Sequence, residues 1–251
     1  MSDSRAVLVT GGSRGIGRAI AHAFAAAGDR VAVHWGASRE RAEAVLAQLP
    51  GDGHVLVQAD LADADEVGRM VDEAAAALGG LDVLVNNAGV FTAHPPLSVS
   101  YEEWQAAWSR TLAVNLLGAA NATFRAVPHL VAAGGGAVVN VSSRGAFRGE
   151  PDTPAYGASK AGLNAFGQSM AIALAPHGIS VGTVAPGFVQ TEMAREVLDG
   201  PGGDAVRAQS PYGRVARPEE VASAVLWLAS PGARFSTGTI IDVNGASYLR
   251  S

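Results

Sequence analysis

A tyrosine and a lysine one helical turn apart, Tyr156 and Lys160, are the residues of this chain best suited to proton chemistry. Residues four positions apart project from the same face of a helix, so the two side chains would lie side by side. An ammonium group beside a phenol favours the phenolate and lowers the tyrosine pKa from about 10. Such a tyrosine could exchange a proton with a substrate oxygen near neutral pH.

Ser143 precedes Tyr156 by thirteen positions and stands where an apolar run ends. If that run is a strand lying beside the helix, the Ser143 hydroxyl could hydrogen-bond the same substrate oxygen. Ser142 is the alternative, and the spacing to Tyr156 favours Ser143. The pattern Tyr-x-x-x-Lys is a weak signal by itself, because a solvated helix face can carry the same pair.

Composition narrows the classes of function. The 251 residues are 48% hydrophobic, which is enough for a sizeable core, and the net charge of −5 with no basic run argues against nucleic acid as a partner. The absence of cysteine excludes disulfides and thiol catalysis, and the six histidines are not paired at ligand spacing, so no metal site is expected. No signal peptide or membrane-spanning segment is visible, which predicts a cytoplasmic protein.

Short apolar runs alternate with helical patterns along the whole chain. Continuous apolar strands separated by helices are typical of a parallel sheet covered on both faces, and no linker divides residues 1–251 into separate domains. The predicted strands are Ala6–Val9, Val31–Trp35, Val55–Ala59, Leu81–Val85, Ala137–Val141, Ile179–Val184 and Thr239–Val243. The predicted helices are Ile16–Ala27, Arg39–Leu49, Ala64–Leu78, Glu102–Ala132, Pro154–Leu174 and Pro218–Leu228.

One segment, residues 192–214, departs from this alternation. It is polar, rich in glycine and proline and weakly periodic. We interpret it as a mobile flap on the substrate side, with a long surface loop as the alternative.

A glycine-rich loop, residues 10–17 with the sequence TGGSRGIG, follows the first predicted strand and precedes a helix. Glycines let the backbone turn sharply and approach a ligand, and a helix N-terminus offers free N–H groups to a pyrophosphate. The spacing is not G-x-G-x-x-G, because position 20 is Ile20, and no Gly-Lys-Ser/Thr follows as in a P-loop. The placement favours a nucleotide site over a tight turn without a ligand.

Taken together, these motifs resemble the short-chain dehydrogenases/reductases in their classical form. The glycine loop is similar to their cofactor loop, and the order and spacing agree over nearly the whole chain. The agreeing segments are Thr10-Gly11-x-x-x-Gly15-x-Gly17, Asn86-Asn87-Ala88-Gly89, Asn115, Ser143, Tyr156, Lys160, Pro186-Gly187 and Thr191. The chain looks most similar to the 3-oxoacyl-(acyl-carrier-protein) reductase type, a likeness that does not name the substrate.

The resemblance implies a single-domain Rossmann fold, a doubly wound seven-stranded parallel sheet with helices on both faces. It also implies an NADP(H)-dependent oxidoreductase that interconverts a carbonyl and a secondary alcohol. The substrate would be a small molecule, free or carrier-bound, and the assembly a homotetramer in which the helices 102–132 and 154–174 pair between subunits. A catalytically silent nucleotide-sensing protein is the alternative, because the fold alone does not establish catalysis.

Four residues match the catalytic positions of the family. The resemblance implies that Tyr156 is the general acid in reduction and the general base in oxidation. Lys160 would lower the pKa of Tyr156 and bind the nicotinamide ribose, and Ser143 would hydrogen-bond the substrate oxygen. Asn115 would hold a water that links Lys160 to bulk solvent. This complete set argues against the silent alternative.

The end of the second strand indicates the cofactor. NAD-specific sites usually place an acid there, and none follows Trp35. Arg14, Ser38 and Arg39 stand nearby, and guanidinium groups suit a phosphate, so NADP(H) is preferred over NAD(H) unless both arginines are merely solvated. The expected cofactor contacts are Gly11, Ser13, Arg14, Gly15, Ile16, Gly17, Ser38, Arg39, Asp60, Leu61, Asn87, Ala88, Gly89, Tyr156, Lys160, Pro186, Gly187, Val189 and Thr191.

Substrate-facing candidates follow strand ends near the catalytic residues. They are Ala93, His94, Arg144, Phe147, Arg148, Phe188 and Met193. Arg144 and Arg148 could attract an anionic substrate or carrier, or could form surface ion pairs, and the sequence leaves both interpretations open.

Overall fold

A computed structural model describes residues 4–250, so Met1–Asp3, on which the signal-peptide prediction partly rests, and Ser251 lie outside it. Seven parallel strands form one sheet in the order β3-β2-β1-β4-β5-β6-β7. The strands are β1 Ala6–Val9, β2 Arg30–Trp35, β3 Val55–Gln58, β4 Val83–Asn86, β5 Gly136–Val141, β6 Ile179–Pro186 and β7 Ile240–Val243. The predicted α/β fold with a doubly wound seven-stranded parallel sheet is confirmed.

Helices cover both faces of this sheet. They are α1 Gly15–Ala26, α2 Arg39–Leu46, α3 Ala64–Leu78, α4 Tyr101–Leu112, α5 Ala119–Ala132, α6 Pro154–Leu174, α7 Glu192–Asp199, α8 Gly203–Ala208 and α9 Pro218–Leu228. One apolar cluster joins the sheet to α3, α5 and α6, and a second joins the opposite face to α1, α2 and α9. Both faces are buried, which explains why the strands are continuous apolar runs.

The register of the central strands shows how the core is built. Leu8 pairs with Leu84, Leu84 with Val138, and Val138 with Val181, so four buried residues form a row across β1, β4, β5 and β6. The strand order reverses between β1 and β4. Ligands of doubly wound sheets bind at the carboxyl ends of the strands beside such a reversal, so the fold places the glycine loop and the ends of β4 and β5 around one cleft.

The long helix predicted over Glu102–Ala132 is interrupted. The α4 helix ends at Leu112, a π-helical turn spans Ala113–Gly118, and α5 begins at Ala119. Such wide turns are rare and occur mostly at functional sites. The apolar periodicity does not reveal the change of pitch, because the apolar face continues on both sides of it.

Residues 192–214 contain two short helices, α7 and α8. The alternative of a long surface loop is therefore wrong for most of this segment. Glycine and proline interrupt its periodicity because they occupy the connections between the helices, while each helix is too short for a clear pattern. Movement of the segment as a flap stays a prediction.

Candidate active site

The fold brings the predicted catalytic side chains together at the carboxyl end of β5. Ser143 follows the strand, and its hydroxyl lies beside that of Tyr156, which α6 carries. The Ser143 oxygen also accepts a 3.0 Å bond from the backbone N–H of Gly145, which fixes its position. Lys160 donates from Nζ to the Val141 carbonyl oxygen at 2.9 Å and so ties α6 to the end of β5.

The pKa of Tyr156 moves in the direction opposite to the one predicted. Burial raises it, the hydrogen bond from Ser143 works to lower it, and the charge of Glu150 adds to the rise. The Nζ atom of Lys160 lies 5.8 Å from the centroid of the tyrosine ring and is directed at a backbone carbonyl. Burial also lowers the pKa of Lys160 to about 8. Sequence spacing could not show that burial outweighs the neighbouring charge.

Asn115 lies in the π-helical turn, beside Lys160. Its Oδ1 accepts from the backbone N–H of Val90 at 2.8 Å, and its Nδ2 donates to the Val90 carbonyl at 3.0 Å and to Ser159 Oγ at 3.2 Å. A Cβ placed on Gly89 would lie 3.4 Å from Asn115 Oδ1 and 3.5 Å from Lys160 Nζ. The amide thus holds the loop after β4 next to the lysine, and its role in binding a water stays a prediction.

Two of the weighed candidates lie outside the reacting centre. The Ser142 hydroxyl is buried and donates to the backbone carbonyl of Lys160 at 3.3 Å, so the neighbouring Ser143 is the serine that meets Tyr156. His94 is also buried, and its Nε2 accepts from the backbone N–H of Ala155 at 3.2 Å. His94 therefore supports the start of α6 and does not face a substrate, because its ring is used within the fold.

Close packing shapes the glycine loop. Gly11 has a φ of +64°, a conformation that glycine adopts without strain. A Cβ at Gly17 would lie 2.1 Å from the Gly11 carbonyl oxygen, so a larger residue could not fit there. Asn87 donates from Nδ2 to the carbonyls of Thr10 and Gly11 at 2.8 and 3.2 Å, and Thr10 Oγ1 accepts from the N–H groups of Asn87 and Ala88. The end of β4 therefore braces the loop.

These features fit a dinucleotide. Arg14 directly precedes α1, and its side chain makes no capping hydrogen bond. The Arg14 side chain therefore does not occupy the free N–H groups of the helix N-terminus, which can bind a phosphate. A family model described as "Enoyl-(Acyl carrier protein) reductase" matches residues 11–246. This chain belongs to the short-chain dehydrogenase/reductase family. The family predicted from the motifs is thereby confirmed.

Individual relatives of this short-chain dehydrogenase/reductase span its full length. The 3-oxoacyl-[acyl-carrier-protein] reductase FabG of Staphylococcus aureus is 38% identical and covers 99% of this chain and 100% of its own. The cis-4-hydroxycyclohexanecarboxylate dehydrogenase of Sinomonas cyclohexanicum is 40% identical over 96% of this chain and 95% of its own. A crystal structure of a short chain dehydrogenase from Burkholderia cenocepacia in complex with NADP is 38% identical, covers 97% of each chain and superposes with a TM-score of 0.88.

The expected phosphate-side contacts of this short-chain dehydrogenase/reductase lie around the ends of β2 and β3. Arg14 is exposed, and no carboxylate is placed at the end of β2. Ser38 caps α2 by accepting from the N–H of Arg41 at 3.4 Å, and Arg39 pairs with Glu43 at 2.8 Å on the surface. Arg39 therefore has an ion-pair partner on the surface, which agrees with the alternative interpretation of Arg39 as a solvated residue.

Asp60 and Leu61 follow β3 at the expected adenine side. The Asp60 carboxylate pairs with Arg110 at 2.8 Å and accepts from the N–H of Ala62 at 3.0 Å, and these bonds lower its pKa. The cap of α3 is Asp63, and not Asp60. The Asp60 carboxylate would thus have to bind adenine in addition to Arg110 and Ala62. The adenine contact stays a prediction.

The nicotinamide-side candidates continue from β6. Pro186 ends the strand, the N–H of Gly187 donates to the Val243 carbonyl, and Val189 forms an isolated bridge with Ala216. Thr191 directly precedes α7, and its side chain makes no capping hydrogen bond. A Cβ on Gly15 would lie 3.3 Å from Thr191 Cγ2, which places the threonine against the glycine loop.

Two contributors were not identified from the sequence. Phe91 packs edge-on against the Tyr156 ring with the centroids 4.9 Å apart, although 46% of its surface is exposed. His34 in β2 is buried and accepts from the backbone N–H of Gly11. No sequence pattern identifies Phe91. A histidine inside an apolar strand, in contrast, indicates that a buried imidazole needs a hydrogen-bond partner. Within residues 4–250 we find no cluster of three metal-binding side chains and no helix long and apolar enough to cross a bilayer.

Proposed function

We propose that this chain is an NADP(H)-dependent oxidoreductase that interconverts a carbonyl and a secondary alcohol, with Tyr156 as general acid and base. The observation that carries the proposal is the position of the Ser143 hydroxyl beside Tyr156 and near Lys160, at the carboxyl ends of the strands where the glycine loop also lies. Membership of the short-chain dehydrogenase/reductase family supports the reaction class.

The nicotinamide, when bound, supplies or accepts the hydride. Tyr156 gives its proton to the substrate oxygen during reduction and takes it back during oxidation. Ser143 donates a hydrogen bond to the same oxygen, where negative charge develops in the transition state. Lys160 carries its charge below pH about 8 and stabilises the phenolate form of Tyr156. Asn115 keeps the loop after β4 in place beside Lys160 and positions a water for proton exchange.

The cofactor proposal depends on charge. Arg14 and Arg39 would hold the adenosine 2′-phosphate, and no acid directly follows β2 to bind a 2′-hydroxyl. The related structure from Burkholderia cenocepacia is a complex with NADP, which supports the same choice here. NAD(H) is the second candidate. The remaining cofactor contacts are proposed as the sequence predicts them, with Tyr156 and Lys160 meeting the nicotinamide ribose.

The family does not fix the substrate. One relative is named for an acyl carrier protein thioester and another for a hydroxycyclohexanecarboxylate, although both cover at least 96% of this chain. We propose a small carbonyl or alcohol substrate, either free or attached to a carrier, and a homotetrameric enzyme located in the cytoplasm. Residues 192–214 close over the substrate in this proposal.

A panel of ketones and secondary alcohols tests the function. NADPH consumption and NADP⁺ reduction are followed by absorbance, with NADH and NAD⁺ in parallel. We expect turnover that depends on Tyr156 and is faster with the phosphorylated cofactor at limiting concentration. Tight NADPH binding without turnover across a broad panel would instead favour the nucleotide-sensing alternative.

A further inference from the structure

Arg144 is a buried cation without a carboxylate partner. Only 5% of its surface is exposed, and it takes part in none of the ion pairs within residues 4–250. Its Nη1 donates to Gln209 Oε1 at 2.7 Å and to Ser247 Oγ at 2.9 Å, both neutral groups, and the guanidinium lies 5.3 Å from the Phe188 ring centroid. A guanidinium has five N–H donors, so most of its capacity is not used by these bonds.

Arg144 lines a cavity of about 260 Å³. The cavity lies at the carboxyl ends of β6 and β7, where Phe188 and Asn244 form its wall, and Val206 of α8 borders it. Arg144 directly follows Ser143, so one loop carries both the cation of the cavity and the hydroxyl that lies beside Tyr156. The alternative of a surface ion pair is therefore wrong for Arg144, whereas Arg148 is exposed.

The other charges of the cavity wall neutralise one another. Glu220 accepts two bonds from Arg214, at 2.6 and 2.8 Å, and Asp242 pairs with Arg250 at 2.8 Å. These pairs leave Arg144 as the cation of the wall that is not compensated at short range. Burying a charge in this way is costly, so a site that retains it needs a compensating interaction.

One carboxylate does act on Arg144 from a longer distance. Glu150 works to raise the pKa of Arg144, while burial lowers that pKa and the Arg148 charge lowers it further. Burial also raises the pKa of Glu150 itself. Arg148 and Asp152 also act on Glu150, which forms no ion pair with Arg144 within residues 4–250, so the guanidinium still has donors for an anion.

We propose that Arg144 binds a carboxylate of the substrate, so that this enzyme acts on small oxo acids and the corresponding hydroxy acids. The proposal rests on the proposed function and assigns the charged group that the substrate presents to the cavity. The competing explanation is that Arg144 only braces α8 against the C-terminal segment through Gln209 and Ser247.

Matched acids and amides separate the two explanations. The probes are 3-oxobutanoate, 4-oxopentanoate and 5-oxohexanoate, each assayed with NADPH against its neutral amide. We expect kcat/KM to be higher for at least one acid than for its amide. Arg144→Gln should lower the acid value roughly 10- to 100-fold, the range of a lost hydrogen bond to a charged group, and should leave the amide nearly unchanged. Arg144→Lys, which keeps the charge, should recover part of the loss.

Arg69→Gln is the control, because it removes an exposed arginine of α3 that pairs with Glu73 at 3.7 Å and does not line the cavity. It should keep the preference for the acid. If Arg144→Gln lowers acids and amides equally, Arg144 is a brace and the proposal is overturned. If no probe is reduced by the wild type, the broader panel of ketones and alcohols decides the proposed function, and calorimetric titration of the acids with NADP⁺ present decides the site. Binding that Arg144→Gln weakens supports the site, and equal binding overturns it.

Discussion

The backbone N–H of Gly11 donates a 2.9 Å hydrogen bond to Nδ1 of His34. The other ring nitrogen, Nε2, lies 3.1 Å from the Ala59 carbonyl oxygen. One nitrogen must accept and the other must donate, so the imidazole is neutral with its proton on Nε2. Burial lowers the pKa of His34, against the bond to Ala59 and the charge of Asp60, which act to raise it. A neutral histidine in β2 thus joins the turn of the glycine loop to the end of β3.

The His34 contact predicts an acid-sensitive fold and cofactor loop. A folded pKa below the ordinary histidine value of 6.5 means that the unfolded chain binds the extra proton first, so stability falls as pH drops below about 6.5. We expect His34→Asn, which keeps one acceptor and one donor without titrating, to remove part of this loss. Urea unfolding and NADPH affinity measured between pH 5 and 7.5 check it. Equal pH slopes in the two proteins would contradict the assignment.

Tyr156→Phe should separate binding from chemistry. The phenylalanine keeps the edge-on contact with Phe91 but lacks the proton, so NADPH affinity should be retained. Turnover should fall by about 10²–10⁴-fold, the usual contribution of a general acid or base. Single-turnover hydride transfer with a substrate from the panel is the measurement, and a rate near that of the wild type would remove Tyr156 from the mechanism.

The two adjacent serines supply a control for that experiment. Ser143→Ala removes the hydroxyl that meets Tyr156 and should lower turnover by about 10²–10³-fold, as for a lost oxyanion donor. Ser142→Ala removes a hydroxyl that bonds the Lys160 backbone and should affect mainly stability.

Lys160 should be needed for catalysis but should lower the free energy of unfolding at neutral pH. Its pKa of about 8, against the ordinary lysine value of 10.5, means that the unfolded chain holds the proton more tightly, so stability rises as pH increases from about 8 to 10.5. At pH 7 the buried ammonium costs up to about 3 kcal/mol, from 1.36 kcal/mol per pKa unit. We expect Lys160→Met to be inactive yet more stable at pH 7, and this gain to disappear by pH 10. Urea unfolding at both pH values measures the difference, and a less stable variant at pH 7 would contradict the prediction.

The fold could be predicted because local and global signals agree. Each strand is buried on both faces, so its sequence is a continuous apolar run, and each long helix has a clear start or end. The cap of α3 by Asp63 is such a signal, since an acid there satisfies the free N–H groups of the first turn. The π-helical turn around Asn115 could not be predicted, because it depends on packing against a part of the chain that is distant in sequence. A Cβ on Gly118 in that turn would lie 2.6 Å from the Leu61 carbonyl oxygen.

Motif spacing is sufficient to propose the site residues but not to predict their energetics. Motif spacing is sufficient to expect Ser143 near Tyr156. Ser143 follows β5, Tyr156 lies on α6, and α6 packs against β5 and the turn after it. The direction of the Tyr156 pKa depends on how much protein surrounds the phenol, which spacing does not record. The same holds for Arg144, where only burial and the absence of an ion pair within residues 4–250 separate a buried cation from a solvated one.

Arg14 and Arg39 should determine the choice between the two nicotinamide cofactors. Replacing both with alanine removes the cations proposed to meet the 2′-phosphate, so the KM for NADPH should rise far more than the KM for NADH. Arg41→Ala is a suitable control, because Arg41 is an arginine of α2 that pairs with Glu192 at 3.0 Å. Steady-state kinetics with both cofactors checks the prediction, and a wild type that binds NADH as tightly as NADPH would contradict it.

Apolar side chains on α5 and α6 should pair between subunits. Phe124 is 76% exposed and Ile172 is 81% exposed, although large apolar residues on helices usually lie inside. If these helices form the interface of the proposed homotetramer, Phe124→Asp or Ile172→Asp should bury an unpaired charge and dissociate the assembly. Ala44→Asp, on the exposed face of α2, is the matched control and should leave the mass unchanged. Light scattering measures the mass, and a wild type that is a stable monomer at micromolar concentration would contradict the prediction.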